Sequence, residues 1–160
     1  MKEKTCCFTG HRKIPPSEYK CIAERLQKRI INFIENGVIY FGAGGALGFD
    51  TLAALCVIEL KKQYPRIRLI LVLPCPEQTK GWSETDKYTY SQIYNKSDKV
   101  IYTAKKYYGG CMQKRNRHLV DNSDYCICYL TDSKGGTAYT VNYADKKGLK
   151  IFNIASIDRN

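Results

Sequence analysis

The stretch YFGAGGALGFDTLAAL, residues 40–55, places Gly42, Gly44, Gly45 and Gly48 within seven positions. An apolar run, VIYFG, leads into it, and an alanine-rich run follows. The first reads as a buried strand. The second reads as a helix over 49–63 that Pro65 ends. Glycine loses more backbone entropy than any other residue when held in place, so the concentration needs a reason. Two reasons fit. An anion can approach a bare backbone at a helix start, or a tight turn can pack strand against helix. The spacing G-x-G-G-x-x-G holds only an offset form of the dinucleotide fingerprint. The acidic residue expected about 20 positions on is missing, because LVLP ends the next strand in proline.

The same alternation continues outward on both sides. TCCFT, residues 5–9, is an apolar strand that runs into GHRKIPP. From Ser17, the residues Tyr19, Ile22, Leu26, Ile30, Phe33 and Ile34 recur at helical spacing until Asn36 and Gly37. RLILVLP, residues 68–74, is the clearest buried strand. A helix over 83–95, the strand DKVIYT, a helix over 112–121 and the strand DYCICYL follow. A helix over 137–147, closed by Gly148, and the strand LKIFNIA complete the series. Strands that are apolar throughout belong to a sheet covered on both faces. The expected fold is therefore α/β, a Rossmann-like three-layer sandwich with a mostly parallel central sheet, forming one domain over 1–160. Such sheets bind ligands beyond the carboxyl ends of their strands, where the strand order reverses. The candidate loops are 10–16, 42–49, 74–82, 103–111 and 131–136.

Composition narrows the function. Hydrophobic residues make up 44% of the chain, enough for a full core. No apolar run approaches about 18 residues and no apolar leader opens the chain, so a cytoplasmic protein without a membrane span is expected. Cys6, Cys7, Cys126 and Cys128 fall in strand runs and Cys56 in a helix run, where cysteine acts as a small apolar residue. Their spacing suits no metal site, so neither a metal nor a required cofactor is expected. The net charge of +11 favours anionic partners. The basic residues are scattered, which favours a solvated basic surface over a dedicated nucleic-acid stripe.

Three further motifs join the first glycine loop. SKGGTAYTVNYA, residues 133–144, again leaves an apolar strand through glycines, Gly135 and Gly136, into a helix. Thr137 and Thr140, three apart, share one helix face; a plain N-cap is the other reading of Thr137. KRNRHLVD carries Arg115 and Arg117, which are two apart and cannot share a face. One guanidinium can fork a phosphate in the cleft while the other meets solvent or a partner. Asn116 suits a base or a backbone carbonyl. TGHR presents Thr9, Gly10, His11 and Arg12 after the first strand. His11 suits acid–base work, a phosphate contact or tying down its loop, the range of roles open to an imidazole. Pro74 and Trp82 bound another strand-end loop, with Trp82 placed to cover a base or to pack. Tyr107 and Tyr108 are the loop residues suited to base stacking. No catalytic residue is assigned.

Together, TGHR, GGALGFD, KRNRHLVDNSD and KGGTAYTVNYA resemble the YpsA-like proteins. These are a branch of the SLOG superfamily, which also holds DprA and the LOG cytokinin-activating hydrolases. The resemblance implies a domain that binds nucleotides or nucleotide-derived small molecules. It also implies phosphate-cradling roles for Gly44, Gly45 and Gly48, with Asp50 capping the helix or meeting a ribose hydroxyl. Arg115 is similar to the arginine of the LOG site, and GGTAYT to the DprA glycine–threonine loop. LOG hydrolases carry a glutamate where this chain has Thr140, which speaks against LOG-type hydrolysis. The expected function is binding of a nucleotide or ADP-ribose-like molecule by a sensor, carrier or sequestering protein. The alternatives are a hydrolase of an N-glycosidic or phosphate bond, and a DprA-like binder of single-stranded DNA. Nucleic acid is the less favoured partner, and the relatives' habits and the tyrosine content suit a homodimer. Arg115→Ala is expected to abolish ligand binding and leave the fold intact.

Overall fold

The computed structural model describes residues 1–155. Its strands are β1 (Thr5–Gly10), β2 (Tyr40–Ala43), β3 (Arg68–Leu73), β4 (Lys99–Tyr102), β5 (Tyr125–Tyr129) and β6 (Lys150–Asn153). Its α-helices are α1 (Pro16–Glu35), α2 (Phe49–Lys61), α3 (Glu84–Lys96), α4 (Cys111–Asp121) and α5 (Gly136–Lys146). The sheet order is β4-β3-β2-β1-β5-β6, and every pair is parallel. The expected mostly parallel sheet is thus wholly parallel. The chain steps from β1 out to β4, then crosses back to β5 on the other side of β1. The reversal falls between β1 and β5, which pair from Cys6↔Tyr125 to Gly10↔Tyr129. Right-handed crossovers place α1, α2 and α3 on one face and α4 and α5 on the other. The contacts of α2 with α1 and α3, and of α4 with α5, follow that division.

Helix α1 begins with Pro16, whose fixed φ suits a first turn and whose missing N–H would have had no helical partner. It buries Ile22, Leu26, Ile30, Phe33 and Ile34, a stripe three or four residues apart. Tyr19, expected in that stripe, is 46% exposed instead. On this face Phe8 stacks on Phe41 with ring centroids 6.1 Å apart, and Phe49 meets Phe8 edge-on at 6.3 Å.

The α4/α5 face is built from smaller side chains, with Cys7, Cys126 and Cys128 packed beside Val72, Val120 and Ala144. The cysteines of the described chain are free thiols. Burial pushes the Cys6 thiol well above its ordinary range, leaving it protonated and inert. Gly42, a candidate for the ligand site, lies on this face of the sheet. A side chain there would meet Leu119 of α4 at 2.9 Å, so its role is close packing. Among the described residues, no helix is long and apolar enough to cross a membrane.

Candidate functional site

Strands β1 and β5 end side by side, and the loops that leave them diverge. The space between is a cleft of about 390 Å³. Four segments line it: residues 9–12 at the end of β1 and just beyond it, Ala46 and Asp50 at the entry to α2, the first two turns of α4, and residues 134–137 opening α5. This is the crevice that the strand reversal creates in an open parallel sheet.

The floor is a buried charge couple. Arg115, only 4% exposed, donates from Nη1 to the Gly44 carbonyl and from Nε to Asn116 Oδ1 at 2.8 Å. Its Nη2 lies 3.7 Å from Met112 Sδ. Asp50 Oδ2 accepts from the Ala46 N–H at 3.2 Å, and Thr51 Oγ1 donates to the Ala46 carbonyl at 2.9 Å. A Cβ on Gly44 would sit 2.7 Å from Arg115 Nη1 and 2.8 Å from Asp50 Oδ2. The bare backbone at Gly44 is what lets guanidinium and carboxylate close on the loop. Burial raises the Asp50 pKa, opposed by Arg115, the Ala46 N–H and Arg12. Burial likewise lowers that of Arg115, opposed by Asp50, yet a guanidinium stays charged.

The loop after β1 is tied on two sides. Gly48 has φ +77°, and a Cβ there would sit 2.2 Å from the Arg12 carbonyl oxygen. Both the handedness and the contact demand glycine. The Phe49 N–H donates to the His11 carbonyl at 3.1 Å. The His11 N–H donates to the Tyr129 carbonyl at 3.3 Å. His11 Nε2 accepts from the Thr131 N–H at 2.9 Å, and its ring stands edge-on to Tyr129 at 5.7 Å. His11 therefore pins the β1 loop to the β5 loop. Of the three roles open to it, the structure shows the tie. Its Nε2 lone pair is already engaged and is not offered to a substrate.

Helix α5 supplies the open side. Gly135, at φ +99°, precedes it; no side chain caps its first turn, and that turn holds no acid. Its first N–H groups and the positive end of its dipole sit beside the cleft at Gly136 and Thr137. Arg12 and Lys134, both exposed, stand on the rim. The result is a pocket with a buried cation in its floor, two exposed cations on its rim and an uncapped helix start. Such an arrangement attracts an anion with a planar or tetrahedral oxygen group.

Of the sequence candidates, the cleft gathers Thr9, Gly10, His11, Arg12, Asp50, Arg115, Asn116, Gly135, Gly136 and Thr137. Gly44, Gly45 and Gly48 do not line it. Gly44 and Gly45 give their carbonyls to Arg115 and to Gln78 Nε2, and Gly48 packs on Arg12. These three glycines are close-packing positions, and Ala46 between them is the part of the loop that reaches the cleft. Pro74 is buried after β3, and Trp82 stands edge-on to Tyr90 at 5.6 Å. Thr140 is 2% exposed and donates back to the Gly136 carbonyl at 2.9 Å. Arg117 points the other way, to Tyr139 Oη at 3.3 Å. Ala46, Met112, Gln113 and Lys134 also line the cleft, beyond the residues expected from sequence. Lys134 lies in the KGG motif, whereas Met112 and Gln113 carry no signal in the sequence beyond opening a helix that faces the strand ends. Arg115 is also a buried strut on the Gly44 carbonyl, so its removal is expected to cost stability as well as binding.

Residues 7–159 match the YpsA family model, that of the YspA SLOG family. The chain belongs to this family. It is 36% identical over 118 residues to the SPbeta prophage-derived protein YoqJ of Bacillus subtilis, covering 66% of this chain and 69% of that protein. It is 30% identical over 155 residues to a UPF0398 protein of Bacillus thuringiensis, covering 91% of this chain and 84% of that one. The SLOG fold is shared with DNA processing protein A (DprA) of Streptococcus pneumoniae, at TM-score 0.68 and 17% identity over 99% of this chain and 53% of that one. DprA of Helicobacter pylori, described for its single-stranded DNA binding mode, matches at TM-score 0.66 and 21% identity. That match covers 95% of this chain and 65% of DprA, so the chain spans about half to two thirds of these structural neighbours.

Proposed function

We propose that this SLOG-family protein binds a nucleotide or nucleotide-derived small molecule, of the ADP-ribose kind, through its phosphate groups. It acts as a sensor, carrier or sequestering protein. One observation carries the reading: Arg12, Lys134 and the uncapped start of α5 converge on a single 390 Å³ cleft at the strand reversal. The same geometry favours holding over cleaving. Asp50 is committed to Ala46, His11 Nε2 to Thr131, and the Thr140 hydroxyl to Gly136.

Thermal denaturation with AMP, ADP and ADP-ribose, and with uncharged adenosine, tests it. A ligand at one hundred times its Kd stabilises by about 2.7 kcal/mol, or about 5–11 °C in Tm for a chain of this size. The phosphate-bearing ligands are expected to give such a shift and remain chemically unchanged; adenosine gives none. Arg12→Glu combined with Lys134→Glu removes the shift. Cleaved products favour a hydrolase instead. A second reading, single-stranded DNA binding, is favoured by the net charge of +11. It requires affinity that falls steeply with salt and indifference to mononucleotides.

A further inference from the structure

Beside the main cleft lies a second recess of about 560 Å³, within the size range of small-molecule sites. Ile14, Pro15, Pro16 and the half-exposed ring of Tyr19 form it, where the β1 loop turns into α1. It is a shelf of rings and aliphatic carbon with no carboxylate in its lining. Arg12 lines both the shelf and the cleft. A third recess has a lining of mixed charge, with Glu18 and Asp132 beside Lys13 and His11.

An anion bound in the main cleft leaves the rest of its molecule to be placed. The aromatic residues that the sequence offered for stacking do not serve. Trp82 is packed on Tyr90, and Tyr107 and Tyr108 do not line the cleft. Tyr19, which helical spacing assigns to the core, is the ring left uncovered next to the cationic site. Arg12 is suited to joining the two spaces, since a guanidinium contacts phosphate at its edge and stacks a ring on its face.

We infer that the Ile14–Tyr19 shelf receives the aromatic base of a nucleotide whose phosphate lies in the main cleft, with Arg12 spanning the two. This rests on the phosphate-binding reading of that cleft. Base–aromatic stacking tolerates any of the common bases, so the shelf adds affinity with little base selectivity.

The test is calorimetric titration of the whole protein with ribose 5-phosphate and with AMP, GMP, CMP and UMP. At least one nucleotide is expected to bind about tenfold or more tightly than ribose 5-phosphate, matching the worth of one stacked base. Tyr19→Ala should bring that nucleotide down to the ribose 5-phosphate level and leave ribose 5-phosphate itself unchanged. Tyr19→Phe, which keeps the ring, should retain the nucleotide affinity. If ribose 5-phosphate binds and no base improves on it, or if Tyr19→Ala leaves the ratio intact, the shelf is overturned and the cleft stands. If none of the five binds, the shelf is overturned, and the cleft reading falls with it unless ADP or ADP-ribose still raises the Tm.

Discussion

Gly44 and Gly136 each follow an apolar strand and lead towards a helix, yet their surroundings differ in kind. A side chain on Gly44 would strike a buried guanidinium and a buried carboxylate; one on Gly136 would meet no heavy atom within 4 Å. The first loop has filled its own helix entry. Asp50, in the first turn of α2, turns back to the Ala46 N–H, and Arg115 takes the Gly44 carbonyl. The second loop has left its entry open, with neither cap nor acid at the start of α5. Glycine after a strand therefore has two uses in one molecule: close packing where tertiary partners fill the turn, and approach by a guest where they do not.

The largest expected effect sits in the filled loop. Arg115→Ala removes the donor to the buried Gly44 carbonyl and the positive charge near the buried Asp50. It should destabilise by about 3–5 kcal/mol in urea denaturation, as leaving a buried charge uncompensated does. A loss under about 1 kcal/mol would make Arg115 a free binding residue and erase the contrast. Gly48→Ala comes next, at about 2–3 kcal/mol, from positive φ together with the collision at the Arg12 carbonyl.

A smaller effect appears with pH. Burial lifts the folded-state pKa of Asp50 above its unfolded value of about 3.9. The folded chain therefore keeps this proton where the unfolded chain has lost it. The resulting stability is full below the unfolded pKa and is lost as pH rises through the folded one. The stability advantage of the wild type over Asp50→Asn should accordingly shrink as pH is raised from about 4 towards neutrality. An advantage that grows instead would mean that attraction to Arg115 outweighs burial. The smallest change in stability belongs to the open loop. Gly136→Ala should shift stability by no more than about 1 kcal/mol while weakening nucleotide binding, because the methyl enters the cleft and not the core. Destabilisation as large as that of Gly48→Ala would show that the second loop is also a packing turn.

Much of this architecture was legible in one dimension. The six strands and five α-helices of the described residues fall within a few residues of their expected places. Apolar continuity marks buried parallel strands, and three-to-four spacing marks helices such as α1; both signals are local. The family motifs located the cleft too, since TGHR and KGG are the loops that leave β1 and β5, the strands at the reversal.

The division of labour inside the site was not legible. Thr140 and Thr137 share a helix face by spacing, yet the Thr140 hydroxyl returns to its own helix at Gly136 while Thr137 borders the cleft. Tyr19 has the spacing of the core stripe and lies beyond the packed part of α1, where nothing covers it fully. Trp82 found a partner in Tyr90 and left the ligand site. Composition, periodicity and turn chemistry determined the elements and their layering, because those preferences act between neighbours along the chain. Which glycines pack, which arginine is buried and which ring stays bare were decided only by tertiary contacts. Residues 44 and 115 are far apart in sequence, and the partner that fills a turn is set by where the helices come to rest on the sheet.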